Sequence, residues 1–365
     1  MDRKSKIVIA VVAVIAVAAL AFFGIRNQMR KTTTDENVIK IGVVLPLTGF
    51  GAHNGEMVKN GFDLAQSEIN ASNDLPKIQV FYEDNKTSPK DAITAFKKLE
   101  AQGIKFIAVQ GGPSSMAIAP LTKDKNILLF GVISTEEMFV KVTNKALRIC
   151  PRINEMASVI ADFDKRELKA NRAAIIFMAD EYGSSWNNAF KKEFIEKGGT
   201  IVAEESYSTS QKDFKDILSR ISLANADVIH FVGVGNMITN FAKQCAENPK
   251  TAYIPISGDI TFAFPTIKKE LKHIKNDVYF VDGVISDTFI SKYQQAYGKE
   301  YSSYSAYAYI VPLLLKDAVK ATGTQNPQET HLYLLKNRHD TAVGDIIFFP
   351  DGNPVIKLVV HKIEK

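Results

Sequence analysis

Hydrophobic and polar positions between Val38 and Gly61 follow first the pattern of a strand and then that of a helix. The apolar run from Ile39 to Leu45 is rich in β-branched residues, which is typical of a strand buried on both faces of a parallel sheet. Pro46 ends this strand, and the loop from Leu47 to Gly55 contains three glycines. Beyond the loop, one helical stripe carries Val58, Phe62, Ala65 and Ile69. In α/β proteins, ligands bind where such a strand feeds a helix.

The same alternation continues to about Cys150 and begins again after Arg152. Alternating strands and helices with short connections predict a doubly wound parallel sheet, and two such stretches predict two lobes of the α/β class. The strands predicted after the first are Ile78–Glu83, Ile104–Val109, Ile127–Ile133, Ala173–Met178, Ile201–Tyr207, Asp227–Gly233 and Tyr253–Ser257. A strand near Val278–Ile285 is expected to return the chain to the first lobe.

The chain length supports two lobes, because 365 residues exceed the size of about 250 to 300 residues at which a single core stops growing. We assign residues 38–151 and 284–348 to the first lobe. Residues 152–283 and 349–365 form the second, and a hinge of several strands is expected to join the two. Residues 1–37 then form a separate leader and tether.

The leader is an export signal or a membrane anchor. Its basic residues come first, at Arg3, Lys4 and Lys6. The apolar run Ile7–Ile25 has 19 residues, enough for a spanning helix of about 18. Ala19–Ala21 offers a small-residue cleavage site, whereas Arg26 and Arg30 follow more closely than is usual after a cleaved signal. Both alternatives stay open, and both predict an extracytoplasmic protein, periplasmic or anchored to the inner membrane.

Composition and motifs exclude several classes of function. The chain is 46% hydrophobic and 23% charged with a formal charge of +5, and it contains no basic stripe of the kind that binds nucleic acid. No phosphate-binding loop or catalytic motif is present, and the six histidines lack metal-ligand spacing. We therefore expect a monomer that is not an enzyme and that has no metal, cofactor or nucleic-acid partner. Cys150 and Cys245 are expected to be buried free thiols, although an exported protein could pair them.

Candidate ligand contacts in the first lobe follow two strands. The loop Gly111–Met116 lets the backbone approach a ligand, and Ser114 or Ser115 can offer a hydroxyl and a helix-start amide to an anion. Capping of the helix is the alternative role for Ser115. Ser134 and Thr135 end the next strand, where they are ligand contacts or ordinary turn residues. Pro120 makes the start of the intervening helix uncertain by a turn.

Further candidates come from the second lobe and from the first loop. Asp259 follows a strand and could pair with a buried ammonium group, which needs a carboxylate partner. A cap ahead of Thr261 is its alternative role. Tyr182 follows a strand in the segment A-D-E-Y-G, where it either contacts the ligand or packs. His53 and Asn54 are the candidates in the first loop, with Phe50 as the alternative.

These segments together resemble the type I periplasmic solute-binding proteins of ABC importers, in the branch that binds leucine, isoleucine and valine. The segments that carry the resemblance are I-G-V-V-L-P-L-T-G at 41–49, D-N-K-T-S-P-K-D-A at 84–92, F-I-S-K-Y-Q-Q-A-Y-G-K-E at 289–300, Y-S-A-Y-A-Y at 304–309 and G-D-I-I-F-F-P-D-G-N at 344–353. They occur in the family's order between Val38 and His361. The chain departs from the pattern at Ile310, where relatives usually have aspartate.

The resemblance implies a role for several residues. Ser115 matches the serine that holds the ligand's α-carboxylate, and Ser134 or Thr135 matches the second polar contact. Asp259 matches the acidic ligand of the α-ammonium, and Tyr182 matches a tyrosine on the ligand. The resemblance predicts a receptor that closes on a small amino acid and presents it to an ABC importer permease. Binding of an amide, urea or aromatic acid is an alternative, and a membrane-tethered ligand sensor is another.

Overall fold

The computed structural model describes residues 37–136 and 138–365. Its first sheet has five parallel strands in the order β2-β1-β3-β4-β5. These strands are β1 Val38–Leu45, β2 Lys77–Asp84, β3 Phe106–Gln110, β4 Leu128–Val132 and β5 Ala146–Ile149. The three central strands β1, β3 and β4 are almost fully buried, because helices cover both faces of the sheet. Their carboxyl ends therefore meet at one edge.

The second sheet has six strands in the order β14-β10-β9-β8-β6-β7. These strands are β6 Arg172–Met178, β7 Thr200–Tyr207, β8 Val228–Val232, β9 Ile256–Gly258, β10 Val278–Gly283 and β14 Leu358–Lys362. All neighbours are parallel except β10 and β14. A third, small antiparallel sheet contains β11 Arg338–Thr341, β12 Gly344–Phe348 and β13 Pro354–Val355. The prediction of two α/β lobes with parallel sheets is confirmed.

The helices cover these sheets. They are α1 Ala52–Ala71, α2 Pro89–Ala101, α3 Gly112–Thr122, α4 Ile153–Arg166, α5 Glu181–Glu196, α6 Lys215–Ala224, α7 Asn236–Glu247, α8 Pro265–Leu271, α9 Asp287–Tyr297, α10 Ser303–Thr322 and α11 Pro327–Lys336. Helix α10 packs along α1 on the first sheet, although more than 200 residues separate the two helices. The chain thus returns to its first sheet after completing most of the second.

Three connections pass between the two sheets. The chain leaves the first sheet after β5, returns to it after β10, and reaches the second sheet again through residues 349–357 to add β14. The second and third connections are joined by a hydrogen bond, which the Val284 amide donates to the Lys357 carbonyl oxygen at 3.1 Å. This course has the form expected of a multi-strand hinge. The exact lobe boundaries given above stay a prediction.

In each lobe, the helix that follows the first strand of the sheet has a glycine in its first turn that touches the end of that strand. A Cβ atom at Gly55 would overlap the Pro46 carbonyl oxygen, and one at Gly183 would overlap the Met178 carbonyl oxygen. Glycine is required at both positions because the helix lies against backbone there. The two lobes therefore use the same local device to bring a helix start close to the sheet edge.

Some predicted element ends differ from the structure. Helix α1 begins at Ala52, so His53 lies in its first turn rather than in a loop. Strand β9 begins at Ile256 rather than Tyr253, because residues 251–254 form turns and the Tyr253 side chain is 76% exposed. Helix α3 begins at Gly112 and contains Pro120 near its end. Proline is tolerated there because few helical bonds remain to be broken.

The cysteine prediction is confirmed, since Cys150 and Cys245 are free and buried. Burial raises the pKa of the Cys150 thiol to about 12 and that of Cys245 to about 11, so both are protonated at neutral pH. The predicted leader and apolar run lie outside the described residues. Within residues 37–136 and 138–365, no helix has the length and apolar character needed to cross a membrane.

Candidate functional site

A cavity of about 420 Å³ lies between the two sheets, at the carboxyl ends of their strands. The first lobe lines it with residues after β1, β2, β3 and β4, among them Asn85, Ser114 and Thr135. The second lobe lines it with residues after β6 and β8, among them Tyr182. This is the position where doubly wound sheets bind ligands. We call its two sides the first wall and the second wall.

Ser114 is the polar centre of the first wall. Its hydroxyl oxygen accepts a hydrogen bond from the Asn85 side-chain amide at 3.1 Å. The side-chain oxygen of Asn85, Oδ1, in turn accepts from the Thr87 backbone amide at 3.0 Å, which fixes the orientation of the Asn85 side-chain amide. Because the Ser114 oxygen already has a donor, its own proton is directed toward another acceptor. The first wall therefore offers a hydrogen-bond donor to the cavity.

Ser115 lies one residue further along α3 and is fully buried. Its hydroxyl lies 3.5 Å from the Val109 carbonyl oxygen, and its amide donates to the Gly111 carbonyl oxygen at 3.0 Å. Both groups are thus engaged within the first lobe. Of the two predicted serines, Ser114 lines the cavity and Ser115 packs behind it.

The loop after β4 carries the other predicted contacts of the first wall. Thr135 lines the cavity, whereas Ser134 is fully buried beneath it. Arg148, which is also fully buried, holds this loop from behind. Its guanidinium donates to the carbonyl oxygens of Ser134 and Glu136, the latter at 2.7 Å. Its Nε donates to Asn353 Oδ1 at 2.8 Å, so the same side chain anchors the loop to the last interlobe connection.

Asp259 organises the second wall. It is fully buried at the start of a short 3-10 helix, where it accepts from the backbone amide of Thr261 at 2.8 Å and from the Thr261 hydroxyl. Its other oxygen accepts from the Tyr182 hydroxyl at 2.7 Å. Asp259 therefore caps this helix and lies behind Tyr182, which lines the cavity.

The hydrogen bond from the Tyr182 hydroxyl to Asp259 determines whether Tyr182 presents a donor or an acceptor to the cavity. A phenol has one proton, and that of Tyr182 is given to the carboxylate. The hydroxyl oxygen consequently presents only acceptor capacity to the cavity. Burial raises the pKa of Asp259 to about 6, and burial beside this carboxylate raises the pKa of Tyr182 well above its ordinary value. The second wall thus offers an acceptor with negative charge behind it.

The predicted residue His53 does not reach the cavity. It is exposed on α1, while its neighbour Asn54 lines the cavity. The alternative, Phe50, is 84% exposed and is not among the lining residues. The start of α1 at Ala52 turns His53 outward, because successive residues of a helix point about 100° apart.

Several lining residues were not predicted. Glu136 comes from the first lobe, directly after Thr135, and Asp180 and Glu181 come from the second, directly before Tyr182. Gln110 ends β3, and Tyr304 is the one lining residue among the six tyrosines between Tyr293 and Tyr309 in the described chain. The sequence could have indicated Gln110 and Glu136, because Gln110 directly precedes the predicted loop Gly111–Met116 and Glu136 directly follows the predicted contact Thr135. Nothing in the spacing of the tyrosines singles out Tyr304.

The lining is acidic. Burial raises the pKa of Glu136, as does the negative charge of Glu181, while Arg148 lowers it. Asp180 accepts from the Gly183 amide at 2.8 Å and so caps α5. Among the described residues that line the cavity there is no lysine, arginine or histidine. The described part of the chain also contains no group of three or more residues placed to hold a metal ion.

Comparison with known families gives a match over residues 38–364 to a model described as periplasmic binding protein. The chain belongs to the periplasmic binding protein family. The predicted resemblance is thereby confirmed, as is the prediction of a solute-binding protein rather than an enzyme. Membership also implies an extracytoplasmic location.

Individual relatives are distant. The chain is 25% identical over 328 residues to a Leu/Ile/Val-binding protein homolog of Brucella abortus, covering 87% of each chain. The structure resembles that of a leucine binding protein from Thermotoga maritima with a TM-score of 0.80 and 21% identity, over 90% of this chain and 96% of that one. It also resembles a solute binding protein of an ABC transporter from R. palustris in complex with benzoate, with a TM-score of 0.80, 16% identity, and 90% and 93% coverage.

Proposed function

We propose that the protein captures a small amino acid between its two lobes and presents it to an ABC importer permease. The observation that carries this proposal is the opposite hydrogen-bond polarity of the two walls: Ser114 offers a donor, and Tyr182 offers an acceptor. An amino acid carries a carboxylate and an ammonium group on one carbon. Each of its charged groups would thus meet a wall of the matching polarity.

The carboxylate is assigned to the first wall. The Ser114 hydroxyl supports this assignment; α3 also begins at this wall, where Gly112 packs against the Glu136 carboxylate. Apart from Gly111 and its two chain neighbours, no atom of the described residues lies within 4 Å of the position that a Cβ at Gly111 would take, so the backbone there is accessible to a ligand. We keep Thr135 as the second polar contact, and we assign the carboxylate contact predicted for Ser115 to Ser114 instead, because Ser115 and Ser134 are fully buried and do not line the cavity.

The ammonium is assigned to the second wall. Transfer of an ammonium group out of water is costly unless a carboxylate or several acceptors replace the water. Asp259 supplies the negative charge, and Tyr182 supplies the acceptor that faces the cavity. In this arrangement Asp259 acts through Tyr182, whose hydroxyl it orients.

The lining argues against an aromatic acid. Benzoate brings one negative charge and no ammonium group, so its capture would add net negative charge to the cavity. The described lining has three carboxylates and no basic side chain. An amino acid brings its own ammonium group, which makes it the better match to this charge distribution.

Capture would follow hinge closure, in which the two walls meet around the ligand. Micromolar affinity corresponds to about 8 kcal/mol, which two charge-assisted contacts and some apolar burial can supply. Apolar contacts are available from Ile133, Met178 and Tyr304. Closure around the ligand would be the signal that a permease reads.

A thermal-shift screen of the purified full-length protein tests the proposal. The panel contains the common amino acids, benzoate, 4-hydroxybenzoate, urea and acetamide. A ligand at a hundred times its dissociation constant adds about 2.7 kcal/mol of stability and raises the melting temperature by a few degrees. A shift with one or more amino acids that is lost in Asp259→Ala supports the proposal. Shifts with aromatic acids or amides alone would refute it.

A further inference from the structure

The cleft holds more negative charge than a single α-ammonium group would neutralise. Glu136, Asp180 and Glu181 line it, and Asp259 lies directly behind Tyr182. Asp180 is partly occupied in capping α5. Glu136 and Glu181 remain, and the described residues that line the cavity include no basic side chain that could pair with either.

Glu136 and Glu181 approach the cleft from opposite lobes. They are close enough for Glu181 to raise the pKa of Glu136. Both residues also line a second cavity of about 160 Å³, as do Thr135 and Tyr182, whereas Ser114 and Asn85 line only the larger one. Both residues therefore lie where the main cavity meets the smaller cavity, and the Glu136 carboxylate packs there against Gly112 at the start of α3.

Gln110 provides an independent observation. Its side chain is 7% exposed and lines the main cavity, and its amide oxygen has no hydrogen-bond partner. A buried acceptor without a donor is unfavourable. Gln110 lines the main cavity and not the smaller one, so an N–H donor on a ligand that extends from Ser114 toward the two carboxylates would satisfy it.

Arg148, the cation that acts on Glu136, is already engaged. Arg148 lowers the pKa of Glu136, but its guanidinium donates to two backbone carbonyl oxygens and to Asn353. Arg148 is fully buried and does not line the cavity. The charge of Glu136 and Glu181 is consequently left for a ligand to balance when the lobes close.

We propose that the amino acid taken by this cleft carries a cationic side chain, of the guanidinium or ammonium class, whose charge lies between Glu136 and Glu181. This inference rests on the proposed function. The α-carboxylate remains at Ser114, and the aliphatic stem of the side chain runs along the apolar lining toward the smaller cavity. Closure then brings two carboxylates from opposite lobes onto one cation.

Calorimetric titration of the full-length protein tests this with matched ligand pairs. L-Arginine is compared with L-citrulline, which has nearly the same shape without the charge, and L-lysine is compared with L-norleucine; L-leucine is the branched-chain reference. The variants are Glu136→Gln and Glu181→Gln. Glu196→Gln is the matched control, because Glu196 lies on the same helix as Glu181, exposed at its far end. Melting curves of the ligand-free variants establish that each is folded.

We expect arginine or lysine to bind about tenfold or more tightly than its neutral partner, and each site variant to remove most of that preference. Glu196→Gln should leave it unchanged. Glu181 is exposed, so Glu181→Gln should fold normally. If Glu136→Gln does not fold, the test relies on Glu181→Gln. Equal or tighter binding of leucine, norleucine or citrulline, unaffected by the variants, would overturn this inference and leave the proposed function intact. Absence of binding by every amino acid would overturn both.

Discussion

The two walls of the cleft reach opposite polarities with similar hydroxyl groups. Ser114 and Tyr182 each carry one proton and one oxygen, yet Asn85 donates to the first oxygen while Asp259 accepts from the second. The partner behind each hydroxyl therefore decides whether it donates to the cavity or accepts from it. The hydrogen-bond polarity of each wall therefore depends on a pair of residues. Substitution of the partner behind the hydroxyl, Asn85 or Asp259, should change this polarity more than substitution of the residue that lines the cavity.

The largest effect is expected from Arg148→Ala, which removes the support of the first wall. Asn353 Oδ1 would lose its donor, and the Ser134 and Glu136 carbonyl oxygens would each lose the charged one of two donors. We expect a loss of about 3 kcal/mol or more in the free energy of unfolding, measured by urea denaturation. Arg172→Ala is the control, since Arg172 also donates to two carbonyl oxygens but is exposed. A loss as small as that of the control, about 1 kcal/mol, would contradict the role given to Arg148.

Next in size is the effect of Asp259→Asn on ligand affinity. The change removes the charge behind the second wall and lets an amide N–H face Tyr182, which would then turn its proton toward the cavity. We expect affinity for the bound amino acid to fall about a hundredfold, equivalent to about 2.7 kcal/mol. Calorimetric titration measures it. An unchanged affinity would show that Asp259 serves only as the cap of its 3-10 helix.

The same carboxyl group predicts a pH dependence with opposite signs for folding and binding. Its folded pKa of about 6 lies above the ordinary 3.8, because burial disfavours the charged form. Its contribution to the stability of the ligand-free protein is therefore full below 3.8 and is lost as pH rises to about 6. Affinity for an ammonium ligand should rise over that range as the carboxylate forms. Asp259→Asn should flatten both profiles, which melting curves and titrations across the range can measure.

Tyr182→Phe and Ser114→Ala sharpen the comparison by removing one hydroxyl from each wall. Each variant should lower ligand affinity about fivefold to tenfold, the value of one hydrogen bond to a charged group. The two hydroxyls have different rear partners, so the losses should add in the double variant. Phe163→Leu, away from the cleft where Phe163 packs on Tyr279, is a control for general perturbation. A double variant no weaker than either single one would mean that only one wall binds the ligand.

The smallest effect is expected from Gly112→Ala at the start of α3. The added Cβ would overlap the Glu136 carboxylate, which is the free end of a flexible side chain and can move aside. We expect a change below about 1 kcal/mol in the free energy of unfolding. Gly183→Ala is the comparison on the second lobe, where the Cβ would overlap the Met178 backbone and should cost distinctly more. Equal losses in the two variants, measured by urea denaturation, would contradict this description of Glu136.

The lobes and most strands could be predicted from sequence because apolar runs and helical stripes are local patterns. Strand ends also pointed to Ser114, Thr135 and Tyr182, which line the cavity. The pairing that gives these residues their polarity could not be predicted, since Tyr182 and Asp259 are separated by 77 positions in the chain. Periodicity likewise says nothing about Arg148, whose partner Asn353 is 205 positions away. Such long-range partners become visible only when the sheets are assembled.

Arg148 also links the loop after β4 to the last connection between the two sheets. Its two terminal nitrogens donate to the carbonyl oxygens of Ser134 and Glu136. Its Nε donates to Asn353, which lies in the connection that leads to β14 of the second sheet. The Arg148 amide also donates to the Gly352 carbonyl oxygen at 3.0 Å, so this end of the connection is held to β5 of the first sheet. The loop after β4 and the start of the last connection are therefore one unit, and they should move together when the angle between the lobes changes.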